Sequence, residues 1–345
     1  LRAILTPYYQ KLLETLGPGH PLRRTVLPVD DCMSAPGELD DPLGEEAHSP
    51  VPGLVHTYPD KVLFLATLRC AVYCRYCTRG RLVGRQADGQ MSKSQKLELQ
   101  EFETDRLTPD SCRLPPVNWE PMFEYIEAHR EIRDVLVSGG DPLMLSDKEL
   151  DGLLSRLRSI PHIRTVRLGT KMPAVLPSRI TNELAAILAK YRIWLQLHFV
   201  HPDELTGETT RACNTLAEAG VPMVSQTVLL KGINDDADTL ADLFYGLLER
   251  RVKPYYLFQC DPVTGSSAFR TPVERGLQLI RELQGRVSGL AMPVFALDAP
   301  GGGGKIPLLP DTPFRREGKE IVLTNFEGKE YRYPDHETVS QKTEG

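Results

Sequence analysis

Six short apolar runs recur between residues 61 and 260: KVLFLAT (61–67), DVLVSG (134–139), TVRLGT (165–170), IWLQLHF (193–199), MVSQTVLL (223–230) and PYYLFQC (254–260). Amphipathic stretches near 146–159, 180–191, 203–219, 237–251 and 272–289 lie between and after them. Parallel strands need a crossover of a dozen or more residues, so this alternation predicts repeated βα units. The near-continuous apolar character of the runs predicts strands covered on both faces. Six units fall short of the eight of a closed TIM barrel. The expected fold is α/β, a partial (β/α)6 TIM-like barrel over residues 61–290.

The flanks have a different texture. Residues 1–60 read as an N-terminal extension. Tyr8 to Leu16 has helical spacing and stops at the breaker GPGHP. The acidic, Pro-rich GELDDPLGEEAHSPVPG that follows suits a surface wrap. Residues 83–116 are polar and read as an insertion, helical at 92–103. Residues 291–345 form a C-terminal segment. In it IVLTNFEGKEYRY predicts a hairpin turning at EGK, and 334–345 a frayed end.

Charge narrows the partners. Forty-one basic against 46 acidic residues give a net charge of −5, which is no footprint for nucleic acid or an anionic membrane. No apolar run reaches the ~18 residues of a membrane span, and no signal-peptide pattern is present. An odd count of seven cysteines argues against a disulfide framework and for a reducing cytoplasm. A small-molecule substrate fits these bounds.

Two motifs carry chemistry. The first strand runs into RCAVYCRYCTRG, where Cys70, Cys74 and Cys77 make a CxxxCxxC triad. Thiolates favour zinc or iron–sulfur centres. Structural zinc takes four ligands, commonly in CxxC pairs, and no fourth Cys or His lies nearby. Three ligands on a 4Fe–4S cluster leave one iron open. The triad resembles that of the radical S-adenosylmethionine (SAM) superfamily, whose open iron chelates SAM and whose cluster cleaves it to a deoxyadenosyl radical. SGGDP at 138–142 is similar to the superfamily's SAM-amino motif. The second motif is DAPGGGGK, 298–305. It is not a phosphate loop, because Ala299 stands where that motif needs Gly and Ile306 replaces its Ser/Thr. Flanked by strand-like MPVFALD and apolar IPLLP, its glycines suit close approach to a planar cofactor. Its lysine suits a Schiff base with pyridoxal phosphate (PLP).

Taken together, DDPLGEEAHSPVPGLVHTYPD, CAVYCRYCTRGR, DVLVSGGDP, PHIRTVRLGTKMPAVLPSRIT, TRACNTLAEAGVPMVSQTVLLKGIND, KPYYLFQCD, FRTPVERG and FALDAPGGGGKIPLLP resemble the lysine 2,3-aminomutase family from Leu1 to about Tyr331. The resemblance implies a radical SAM barrel with an N-terminal helical extension and a C-terminal PLP-lysine segment. It gives Lys305 to PLP and Arg79 to the substrate α-carboxylate, with Asp261 and Asp298 on a distal substrate cation. Ser138, Gly139, Gly140, Asp141, His198 and Gln226 fall on its SAM contacts. Lys61 keeps a charge near the PLP phosphate, where Thr57 replaces an arginine. The implied activity moves the α-amino group of a basic amino acid, L-lysine first and L-arginine as the alternative, to the β-carbon. The hydrogen taken from that carbon is returned, so SAM is regenerated. A β-lysine-forming branch serving protein modification is a further alternative, against which the intact DAPGGGGK speaks. A reductant for the cluster and a homo-oligomer are also implied. Tyr76 stands where the family has a His. Asp236 occupies the position of a family zinc cysteine, so no structural zinc is expected.

Overall fold

The computed structural model describes residues 3–28, 35–83, 117–310, 314–318, 320–325 and 327–334. Its main sheet has nine strands in sequence order: β1 (Leu54–Tyr58), β2 (Lys61–Thr67), β3 (Asp134–Gly139), β4 (Thr165–Thr170), β5 (Trp194–His198), β6 (Met223–Leu229), β7 (Val252–Gln259), β8 (Val294–Ala299) and β9 (Gly304–Pro307). The six expected strands are β2 to β7, paired in parallel. The parallel run then continues into a seventh, β8, and antiparallel β1 and β9 flank the two edges.

No backbone ladder joins β1 to β9 in this linear order. A side chain does so instead. The backbone N–H of Lys305 donates to the Tyr58 hydroxyl at 2.6 Å, so the open sheet curls until its edges meet.

Helices α1 (Pro7–Leu16), α2 (Glu120–Ala128), α3 (Asp147–Ser159), α4 (Met172–Val175), α5 (Asn182–Lys190), α6 (Gly207–Glu218), α7 (Ala237–Glu249) and α8 (Val273–Leu283) complete the layer. Local chemistry starts several of them. Ser146 and Glu149 form a capping box on α3. Thr181, Thr206 and Asp236 accept backbone N–H groups that α5, α6 and α7 leave unpaired. Asp236, at the zinc-cysteine position, is thus a helix cap. Gly17, within the expected breaker, ends α1 at φ 88°.

Burial alternates along β3, β4 and β6. Val135, Val137, Val166, Leu168, Met223 and Leu229 are buried, whereas Ser138 and Gln226 on the opposite face are half-buried. The sequence predicts two covered faces. Helices such as α3, through Leu150, Leu153, Leu154 and Leu157, cover one of them. The other lines the barrel, where curvature turns polar side chains toward one another.

The turn after β3 is packed tightly onto the end of β2. Gly140 N–H donates to Thr67 O at 2.6 Å and Asp141 N–H to Arg69 O at 2.7 Å. A Cβ on Gly140 would stand 2.1 Å from Arg69 O, and one on Gly139, at φ 126°, 2.1 Å from Thr67 O. The glycine pair therefore admits backbone from β2, an approach no side chain allows. Gly140→Ala is expected to cost about 1–3 kcal/mol and lower the melting temperature by several degrees; thermal unfolding followed by circular dichroism checks it.

The C-terminal hairpin is present as β11 (Glu320–Thr324) and β12 (Glu330–Pro334), with β10 (Phe314–Glu317) added to its edge. Its turn is fixed by Asn325 Oδ1, which accepts from Glu327 N and Lys329 N. The expected helix at 92–103, most of the 83–116 insertion and nearly all of the frayed end at 334–345 lie outside the described residues. Among the described residues no helix is long and apolar enough to cross a membrane.

Candidate active site

The triad sits on the loop after β2, at the C-terminal ends of the parallel strands, where barrel enzymes carry their chemistry. The N-terminal extension clamps this loop. Tyr73 N–H donates to Ile4 O at 3.2 Å and Arg75 N–H to Thr25 O at 2.8 Å. Cys70, Cys74 and Cys77 are free thiols. Burial pushes all three up, Cys74 to about 11, so a bound metal charge is needed to draw the protons off. The three thiols share one short loop, and three thiolates are the donor set that holds a 4Fe–4S cluster with one iron left open. Among the described residues the group whose ligand atoms converge within 4.8 Å is a different one, His20, His201 and Asp203.

His20 and Asp203 are joined by one hydrogen bond. His20 Nδ1 accepts from Leu22 N, which leaves Nε2 to donate to Asp203 at 2.8 Å. This contact ties the N-terminal extension to the turn after β5.

Beside the triad, His198 holds a defined tautomer. Its Nδ1 lies 3.0 Å from the Gln226 carbonyl and must donate; its Nε2, 2.8 Å from the Tyr76 hydroxyl, must accept. Burial, and then Lys171, push His198 down to about 3, so it is neutral. Lys171 pairs at 2.6 Å with Glu204, which also accepts from Tyr9 and from Val200 N. Burial alone would raise the Glu204 carboxyl, yet Lys171 holds it below its ordinary value. Asp141 is likewise committed: Thr170 Oγ1, Lys171 N and Leu143 N all donate to it. It fixes the turn, while Ser138, His198 and Gln226 stand half-buried on strands lining the barrel.

Lys305 lies on β9, opposite Asp298 of β8. Its Nζ donates to both Asp298 oxygens, at 2.8 and 3.0 Å. It also stands 3.9 Å from the centre of the Phe258 ring and 5.3 Å from that of Tyr256. The two rings are stacked on each other, with centres 5.0 Å apart, and flank the lysine amine, a setting that suits a planar cofactor such as PLP. The glycine run before it makes room for the N-terminal extension, since a Cβ on Gly302 would stand 2.1 Å from His48. Lys61 pairs with Asp60 at 2.7 Å and lies 4.7 Å from the Tyr58 ring centre, one ring away from the Lys305 backbone.

Asp261 follows β7. Burial first, and then the Asp298 charge, push it up to about 7 against the pull of Lys305 and Arg79. Arg79 in turn feels Asp298, so the structure brings these four groups into one electrostatic neighbourhood. Arg79 is already paired. Its Nε and Nη2 donate to the two oxygens of Glu45 at 3.2 and 2.7 Å. Burial opposes its charge, and Glu45 outweighs that opposition.

Glu45, Lys171, Glu204 and the aromatics Tyr58, Tyr256 and Phe258 are absent from the residues that the sequence singles out. The aromatics had a visible signal in the spacing of Tyr256 and Phe258 along one strand face. Glu45 had only a weak one, an acidic run at 38–46 set against the basic TRGR that ends the cluster loop.

Residues 280–345 match the family model described as Lysine-2,3-aminomutase, and residues 65–244 match the Radical SAM superfamily. The chain is 43% identical over 330 residues to the L-lysine 2,3-aminomutase of Clostridium subterminale, covering 95% of this chain and 74% of that protein. It is 42% identical over 342 residues to the L-lysine 2,3-aminomutase of Acetoanaerobium sticklandii, covering 98% and 77%. To the glutamate 2,3-aminomutase of Clostridioides difficile it is 39% identical, covering 99% and 75%. Such likeness over nearly the whole chain, with the triad and the lysine on one barrel mouth, identifies an isomerase: the chain belongs to the lysine 2,3-aminomutase family of radical SAM enzymes.

Proposed function

We propose that the protein moves the α-amino group of a basic L-amino acid, L-lysine first, to its β-carbon. The observation that carries this is the pair Asp261 and Asp298 beside the Lys305 amine, with the Arg79 guanidinium in the same neighbourhood. Two carboxylates suit a substrate with a distal cation and repel one with a distal carboxylate.

When bound, the 4Fe–4S cluster with SAM supplies a hydrogen-abstracting radical, and PLP supplies a conjugated system that stabilises the substrate radical. The protein's residues do the rest. Arg79 receives the α-carboxylate on the donors that Glu45 leaves free. Lys305 offers its amine to PLP, and Lys61 lies near enough to favour a phosphate. Lys305 and a substrate cation would compete for Asp298, which would be open to an entering substrate while Lys305 held PLP. Phe258 and Tyr256 exclude water from the reacting atoms. For SAM, Ser138, His198 and Gln226 are the side chains in reach, while Gly139, Gly140 and Asp141 shape the turn that presents them. In this reading residues 61–290 serve the radical, and the flanks 1–60 and 291–345 complete the PLP and substrate site. A cytoplasmic setting that keeps thiols reduced, an external one-electron donor and a homo-oligomer complete it, with no structural zinc.

The test is a panel of L-lysine, L-arginine, L-norleucine and L-glutamate, offered to anaerobically reconstituted protein. Lysine should have the highest kcat/KM. Turnover of glutamate or norleucine above both basic amino acids would overturn the reading. The same panel checks the acid group. Asp261 must be ionised to hold a cation and its carboxyl is held up near 7, so cation affinity should rise as pH climbs. The preference for lysine over norleucine, in kcat/KM, should increase roughly tenfold between about pH 6 and pH 8.

A further inference from the structure

We infer that Glu45 is a positioning residue for substrate: it aims the Arg79 guanidinium so that one defined edge is left for the α-carboxylate. This rests on the proposed role of Arg79. An arginine side chain has five N–H donors in a rigid planar fork. Glu45 takes Nε and one hydrogen of Nη2, at 3.2 and 2.7 Å. What remains is the end of the fork, made of Nη1 and the second Nη2 hydrogen. That end can grip a second carboxylate with two parallel bonds.

Glu45 is itself held. It is 5% exposed. Its carbonyl accepts from Ser49 Oγ at 2.9 Å, and the neighbouring Glu46 N–H donates to Asp41 at 2.9 Å. Arg81 reaches Asp41 at 3.0 Å, Glu46 at 3.0 Å and Glu45 at 3.6 Å. The segment carrying Glu45 also touches the other parts of the site. Leu39 N donates to Pro262 O at 2.7 Å, next to Asp261, and Gly301 N donates to Pro42 O at 3.0 Å, in the run before Lys305. One strap of the N-terminal extension therefore sets the carboxylate anchor relative to both the distal carboxylate and the PLP lysine. A lysine substrate spans those same points, and a small misplacement of its anchor is costly in rate.

The experiment titrates PLP-loaded protein with L-lysine and with cadaverine, which is lysine without its carboxylate, following the change in PLP absorbance. Wild type, Glu45→Gln and Arg79→Ala are compared. Glu45→Gln keeps the side-chain shape and one oxygen acceptor. It should weaken lysine about ten- to a hundredfold and leave cadaverine within about twofold. Unchanged lysine binding in Glu45→Gln, with lysine weakened in Arg79→Ala, overturns the inference and leaves the proposed function standing. Equal losses for both amines in Glu45→Gln also overturn it, because they mark general damage to the strap. Unchanged lysine binding in Arg79→Ala sinks the role of Arg79 itself. If Glu45→Gln does not fold, Glu45→Asp carries the same test, since the shorter carboxylate cannot span both donors.

Discussion

Cys70→Ser, Cys74→Ser and Cys77→Ser should each leave a folded protein that no longer holds its cluster and has no measurable turnover. A serine oxygen is a harder donor than sulfur, and its hydroxyl gives up a proton far less readily than a thiol, so it does not replace a thiolate on iron. The backbone of the loop has anchors that do not involve the cysteine sulfurs. It is tied to Ile4 and Thr25 by hydrogen bonds that sulfur does not make. Melting temperature should therefore change little, while iron content and the visible absorbance of the reconstituted protein collapse. Cys213→Ser is the control. Cys213 is buried on α6 with no part in the triad, so its replacement should leave the iron content at the wild-type level.

Lys305→Ala should lower turnover by more than about a thousandfold and abolish the absorbance of covalently held PLP, with the cluster intact. Two effects combine here. The amine that takes PLP is gone, and Asp298 loses the cation that both its oxygens accept from. Lys305→Arg separates them. A guanidinium keeps a positive charge facing Asp298 but offers no nucleophilic amine. If the chemistry depends on the amine, Lys305→Arg should be as inactive as Lys305→Ala yet melt closer to wild type. Activity in Lys305→Arg near the wild-type rate would remove Lys305 from the mechanism.

The barrel was legible because its signals are local. β2, β3 and β4 have the bounds of KVLFLAT, DVLVSG and TVRLGT, each an apolar, β-branched run between polar neighbours. β8 shows in the sequence as MPVFALD, but its place as a seventh parallel strand depends on pairing with β7, a long-range fact. β1 follows the wrap directly, within the residues 1–60 that read as an extension. It is five residues long and antiparallel, and it is defined by its partner β2 more than by its own pattern. In the site, the triad and Lys305 announce themselves by spacing and by glycine context. The partners that tune them do not. Glu45 meets Arg79 across 34 positions, and Tyr58 meets Lys305 across 247. A sequence displays charges and rings but not which of them meet. On the SAM side, SGGDP at 138–142 carried a weak motif, whereas His198 and Gln226 had no signal of their own, and the neutral tautomer of His198 follows only from its neighbours Tyr76 and Gln226.

The central claim is that one barrel mouth joins a radical initiator to a PLP lysine. The most direct test is anaerobic incubation of protein reconstituted with iron, sulfide, PLP and SAM, with L-lysine in large excess. Products and remaining SAM are then quantified by mass spectrometry. The predicted result is many equivalents of the β-amino isomer of lysine per SAM, with SAM largely recovered. Stoichiometric cleavage of SAM without any β-amino product from lysine or arginine would contradict the account.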